Sequence, residues 1–280
     1  MALTLSRYEV APLIAARRQG RALAASSPDL GRTPAEAALS DEGARFPGGE
    51  LLPWAVAEEI AASETQCFLV EAEAARELKV FSEATGWVRT LYPTGGPPTT
   101  VVAGFPMHRI KDIDPGEDTR RKTAPLLPLR GEALDTATGL GYTAVALARA
   151  GARVLTIELD PAALELARRN PWSAELFSNP GIEQRIGDAV EIVGALAAGR
   201  FSRILHDPPT LRLGGELYSG AFYDELFRVL GRGGRLFHYL GDLESKSGER
   251  TSRGVIKRLR EAGFAKVSPR PEAFGVVAVK

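Results

Sequence analysis

Four carboxylates each follow a strand-length run in the second half of the chain: Asp135 after Ala133 and Leu134, Glu158 after Val154 to Ile157, Asp188 after IEQRIG, and Asp207 after RILH. Open α/β sheets bind ligands beyond the carboxyl ends of their strands, so acids at these places describe one site. Between the first two lies GLGYTA, in which Gly139 and Gly141 allow a tight turn and Tyr142 to Ala150 open a helix with free N–H groups facing a ligand. Glu158 is then placed to accept from the two hydroxyls of a ribose, and Asp188 from an adenine amino group. Asp207 is followed by Pro208 and Pro209, which fix the backbone and direct carbonyls inward. A carboxylate beside such a carbonyl can hold an amine in the pyramidal geometry from which its lone pair attacks.

GLGYTA also satisfies the dinucleotide pattern G-x-G-x-x-A, with Glu158 at about the expected 20 residues further on. The residues before the glycines decide against a diphosphate. Asp135, followed by the polar Thr136-Ala137-Thr138, suits a cationic amino-acid tail and would repel a pyrophosphate. The ordered set D-x-A-x-G-x-G, acidic residue, G-D-A and D-P-P resembles the class I S-adenosylmethionine-dependent methyltransferases over residues from about 118 to 280. Ala137 stands where that superfamily more often has its first glycine. More narrowly, GLGYTA, HDPP, GGELYS, GGRLFHY and GVVAVK resemble a group of predicted archaeal methyltransferases.

The resemblance implies S-adenosylmethionine as cofactor, held by Asp135, Thr136, Ala137, Gly139, Gly141, Tyr142, Thr143, Glu158, Leu159, Asp188 and Ala189, with Asp207, Pro208 and Pro209 as the catalytic set. Nucleic-acid amino-methyltransferases share a D/N/S-P-P-aromatic motif, which this chain matches at its first three positions and leaves at Thr210. A stacking aromatic must then come from Tyr218, Tyr223, Phe237 or Tyr239, of which Tyr218 is the best placed. His206 lies on a buried strand and reads as a satisfied core histidine. His108 is a turn residue by default, with a substrate-facing role as the alternative. Carbon-5 methylation of a pyrimidine needs a thiolate, and the single cysteine, Cys67, sits in an apolar N-terminal run, TQCFLV. No cluster of His, Cys and carboxylates has metal-ligand spacing, so no metal is expected.

The elements that must position these residues come next. Alternating apolar segments and helices from 118 to 280 read as a Rossmann-like methyltransferase domain with a seven-stranded, mostly parallel sheet closed by an antiparallel pair. Residues 1–117, with a helix over Tyr8 to Gly20, another over Leu51 to Ser63 and several short strands, read as a small α+β substrate-recognition module. The boundary falls in the charged, proline-containing connector IKDIDPGEDTRRK. Lys plus Arg and Asp plus Glu number 35 each, so net charge announces no nucleic-acid partner. A local argument for a phosphate-contacting surface remains in Lys246, Arg250, Arg253, Lys257, Arg258 and Arg260 against Glu249, with a second basic cluster at Arg120, Arg121 and Lys122. The N-terminus carries Arg7, Glu9, Arg17 and Arg18 without a long apolar core, which points to a soluble, cytoplasmic protein with no membrane partner.

Together these readings predict N-methylation of an exocyclic amine in structured RNA, with cytidine N4 of ribosomal RNA preferred over adenosine N6 or guanosine N2. A small-molecule amine methyltransferase is the first rival. An aminopropyltransferase is the second, since polyamine synthases use the same fold, a decarboxylated cofactor and acidic pockets. That rival needs several carboxylates near Asp207, and in the sequence Glu216 is the only evident neighbour.

Overall fold

A computed structural model describes residues 2–211 and 214–280, which fold as two compact units. The first comprises residues 1–116 with 165–174, the second 117–164 with 175–280.

In the first unit a helix over Arg7–Arg18 starts at a capping box, where Ser6 accepts from the backbone and Glu9 accepts from the Ser6 N–H at 2.8 Å. Its buried face, Val10 and Leu13, packs with Leu3, Leu5, Leu52 and Ile60. The second expected helix is shorter. Leu51–Pro53 forms a strand and the helix runs over Trp54–Ala62, because Pro53 supplies an extended N-cap. Among the described residues, three small antiparallel sheets complete the unit. Trp172 Nε1 donates to the Leu30 carbonyl at 2.8 Å, fixing residues 165–174 in this unit.

The second unit is built on seven strands: β1 (Glu132–Asp135), β2 (Arg153–Glu158), β3 (Ile182–Ile186), β4 (Phe201–His206), β5 (Leu230–Tyr239), β6 (Lys266–Arg270) and β7 (Gly275–Val279). Their order is β3-β2-β1-β4-β5-β7-β6, and only β7 is antiparallel to its neighbours on both sides. The strand order reverses between β1 and β4, which places the binding crevice at their carboxyl ends. The helices of the chain from residue 115 onward are α1 (Pro115–Thr123), α2 (Tyr142–Arg149), α3 (Pro161–Arg168), α4 (Ala174–Ser178), α5 (Ala189–Gly194), α6 (Gly220–Val229) and α7 (Lys246–Glu261), of which α1, α3 and α4 each begin or end in the first unit. One core runs through Leu134, Leu155, Phe201, Ile204, Phe222, Leu226, Leu236, Val255 and Val276.

One sequence expectation fails locally. Part of the segment expected as a charged connector is helix α1, and two of its charged residues, Asp118 and Lys122, are buried. Helix α6 ends at Val229, and Gly231, Gly233 and Gly234 lie inside β5. The β4–β5 register slips between Phe201 and Arg203, and a Cβ on Gly231 would stand 3.3 Å from the Gly199 and Phe201 carbonyls, so glycine permits the close pairing. Arg203 donates to the Leu126 and Pro128 carbonyls at 2.6 and 2.9 Å, and Arg235 to Leu127 at 3.1 Å, tying the segment between α1 and β1 to the sheet.

Candidate active site

Asp135 ends β1 fully buried. Its Oδ2 accepts from Thr143 at 3.0 Å and Thr156 at 3.1 Å. Its Oδ1 is buried without a hydrogen-bond partner among the described residues. Burial pushes this carboxyl up to about 7; the two threonines and a weak pull from the Ala137 amide oppose the rise, and the charge of Asp207 adds to it. A group of this kind lacks a cation. The turn that follows is held open by left-handed Gly139 and Gly141, at φ +53° and +79°. Glu158 at the end of β2 accepts from the Gly139 N–H at 2.8 Å and the Asp160 N–H at 3.0 Å, so its carboxylate orients the glycine turn. Asp188 caps α5 by accepting from Val190 at 2.6 Å. Leu159 and Ile186, each more than half exposed, flank these two acids at adjacent strand ends and offer an apolar surface of the kind a purine ring would cover.

Beneath the turn lies a layer of neutral histidines. His206 Nε2 faces the Leu217 carbonyl at 2.9 Å and so carries the proton; Nδ1, at 2.7 Å, accepts from the Thr136 hydroxyl. His238 Nδ1 faces the His206 carbonyl at 3.3 Å, and its Nε2 accepts from Tyr223 at 3.0 Å. Burial holds His206 down at about 4 and His238 well below the usual histidine range. His206 thus joins the cofactor turn, through Thr136, to the segment after β4, through Leu217.

Asp207 follows His206, 17% exposed. Its Oδ2 lies 2.7 Å from Lys122 Nζ, and the same ammonium lies 2.7 Å from Asp118 Oδ2 and 4.1 Å over the Tyr239 ring. Lys122 is 1% exposed and Asp118 fully buried. Burial pushes the lysine down, but Asp207 and Asp118 outweigh it and hold the ammonium above its usual range. Asp207 is raised by burial, pulled back by Lys122 and pushed up again by Asp118. Two carboxylates therefore share one lysine at the end of β4, and Asp135 at the end of the neighbouring β1 feels the charge of Asp207. Asp118 and Thr156 were missed by sequence reasoning, and Lys122, expected in a nucleic-acid-facing basic cluster, is instead buried; the i,i+4 spacing of Asp118 and Lys122 was the available signal.

No protein-family model matches the chain. It is 43% identical over 242 residues to Uncharacterized protein MJ1233 of Methanocaldococcus jannaschii, an alignment covering 85% of this chain and 81% of that protein. The chain belongs to the MJ1233 family. Solved structures of like fold include a spermidine synthase in complex with the transition state analogue AdoDATO, at TM-score 0.58 and 17% identity, covering 78% of this chain and 70% of that one. The spermidine synthase of Thermotoga maritima aligns at 0.56 and 16%, covering 72% and 70%, and a probable spermidine synthase of Corynebacterium glutamicum at 0.52 and 15%, covering 72% and 78%. These likenesses show that the chain has a Rossmann-like α/β fold.

The expected methylation of an RNA amine, with cytidine N4 of ribosomal RNA as target, is overturned. The structural neighbours are spermidine synthases, and the rings assigned to stack on the base are buried or already occupied. Asp207, meant to accept from the base amine, shares its Oδ2 with Lys122 and has only Oδ1 outside that pair. Tyr218, meant to stack, is buried, its hydroxyl donating to the Pro209 carbonyl at 3.1 Å and its ring 5.2 Å from His238. Tyr223 and Phe237 are fully buried, and the Tyr239 face carries the lysine. His108 lies in the first unit, its Nδ1 2.9 Å from the Thr99 hydroxyl. On α7, Arg253 and Lys257 face Glu249 and Glu261 at 4.0 and 3.7 Å, ordinary surface pairs. Among the described residues no group of three or more His, Cys, Asp or Glu is placed to hold a metal ion, and no helix is long and apolar enough to cross a membrane.

Proposed function

We propose that the protein is an aminopropyltransferase that moves an aminopropyl group from decarboxylated S-adenosylmethionine to a small amine. The observation that carries this reading is Asp135 Oδ1, buried and unpartnered among the described residues and within the field of Asp207, whose own lysine is already shared with Asp118. An intact amino-acid tail would bring its own carboxylate into this acidic region, while a decarboxylated tail brings only the ammonium that Asp135 lacks. The structural neighbours named as spermidine synthases support the same chemistry.

The donor supplies a carbon activated by a positively charged sulfur. Asp135 binds the aminopropyl ammonium, the glycine turn and Glu158 hold the ribose side, and Leu159 and Ile186 cover the adenine. At the acceptor, the nitrogen lone pair forms the C–N bond as the C–S bond breaks toward sulfur, releasing a neutral thioether, methylthioadenosine. The proton lost by that nitrogen passes to Asp207.

The test is mass spectrometry of products after incubation with decarboxylated S-adenosylmethionine and a panel of mono- and diamines. Methylthioadenosine and an aminopropylated amine are expected, with kcat reduced about 10²- to 10⁴-fold in Asp207→Asn. S-adenosylhomocysteine from intact S-adenosylmethionine, with no methylthioadenosine, would overturn the reading in favour of small-amine methylation.

A further inference from the structure

We propose that Lys122, held from behind by Asp118, is a positioning residue that fixes the orientation and sets the proton affinity of Asp207; this rests on the reading of Asp207 as the group that receives the acceptor's proton. The geometry is that of a divided counter-ion. The ammonium stands 2.7 Å from each carboxylate, seated over the Tyr239 ring at 4.1 Å. Asp118 and Lys122 are sealed in the interior, whereas Asp207 alone of the three reaches solvent. Pinning Oδ2 limits rotation of the Asp207 carboxylate and leaves Oδ1 outside the ion pair.

The division of charge matters as much as the pinning. A buried aspartate with no cation would stay protonated at neutral pH and could take no proton. One with a lysine to itself would be too weak a base. Asp118 claims part of the Lys122 charge and so leaves Asp207 between these extremes, in the range a proton acceptor needs. The charged and titratable groups around Asp207 are Lys122 and Asp118 on α1, Asp135 at the end of β1, Tyr218 on the turn before α6 and Tyr239 at the end of β5. The neighbouring histidine is neutral. Of these groups only Lys122 stabilises the ionised form of Asp207, so the two halves of the pair act in opposite directions.

The experiment is a titration of the full-length protein labelled at aspartate 13Cγ, with Asp207→Asn used to assign the resonance. Lys122→Met is expected to move the Asp207 midpoint up by about one pH unit or more, and Asp118→Asn to move it down by a similar amount. The acid limb of kcat/KM for the transfer reaction should move the same way in each variant, and Lys122→Arg should restore the wild-type limb. Shifts of the same sign in both variants, or no shift, would overturn the proposal, since a purely structural role lowers stability without separating the two directions. Should Lys122→Met fail to fold, Asp118→Asn decides by itself: a downward shift supports the proposal and an unmoved midpoint sinks it. Opposite shifts in a wild-type protein that releases no methylthioadenosine would uphold the positioning and remove the aminopropyl reading.

Discussion

Asp135 concentrates the conflict between stability and binding. Its carboxyl, near 3.9 in an unfolded chain, sits at about 7 in the fold, so the folded state binds more protons between those values and stability falls as pH rises from about 4 to 7. The cost, from the width of that window, is roughly 2–4 kcal/mol. The histidines act with the opposite sign. His206 is held down at about 4, below its unfolded value, so the unfolded chain takes up the proton first and stability is lost as pH falls from about 6.5 toward 4. In wild type the two trends oppose each other. Chemical denaturation of Asp135→Asn should therefore show a gain over wild type at pH 8, little gain at pH 4, and an uncovered rise with pH between 4 and 6.5. The same variant should lose about 100-fold in donor affinity by calorimetry, because the ammonium would lose its counter-charge. Stabilisation with retained affinity would dismiss Asp135 as the cation site.

At the scale of the element, the glycine turn separates two kinds of constraint. Gly139 and Gly141 both sit in the left-handed region, but a Cβ on Gly139 would meet nothing within 4 Å, while one on Gly141 would meet Leu176 Cδ2 at 2.6 Å. Gly139→Ala should cost about 1–2 kcal/mol from backbone strain alone. Gly141→Ala should cost clearly more, and Leu176→Ala in the same chain should recover part of the difference; equal thermal shifts would contradict this packing. Helix α7 shows how an element boundary escaped the sequence. Its apolar spacing begins near Arg253, but the helix starts at Lys246, where Ser245 accepts from the Gly248 N–H at 3.1 Å and Gly248 lies against the Asp242 carbonyl. A Cβ there would stand 1.7 Å from that oxygen, so Gly248→Ala should unfold the first turn, visible as loss of hydrogen-exchange protection over residues 246–251.

For the whole molecule, the division into units does not follow the chain. Residues 165–174 are numbered within the second half of the chain yet belong to the first unit, where Trp172 donates to Leu30. A fragment ending at 116 therefore lacks part of its own unit. Expressed alone, residues 1–116 should melt at a lower temperature than the first transition of the full chain, and Trp172→Phe in the full chain should cost about 1 kcal/mol for the lost hydrogen bond. A fragment as stable as the intact unit would show the segment to be dispensable.

The amino-acid sequence alone determined the fold class of the second half and the places of Asp135, Glu158, Asp188 and Asp207, because strand-length runs, glycine turns and terminal acids are local patterns that parallel sheets require. It also pointed to an adenosyl cofactor through Asp135 ahead of the glycines. What it did not determine was the state of the Asp-Pro-Pro carboxylate. Asp118 and Lys122 read as charges in a proline-containing connector, and their burial depends on helix α1 meeting a strand end 85 residues further along the chain. Likewise Tyr218 reads as a rim aromatic until His206 and His238 pack against it. Electrostatic character at a site is a sum over groups brought close in space. Only the tertiary structure, by placing one lysine between two aspartates and leaving Asp135 Oδ1 without a partner among the described residues, decided the charge balance at these strand ends.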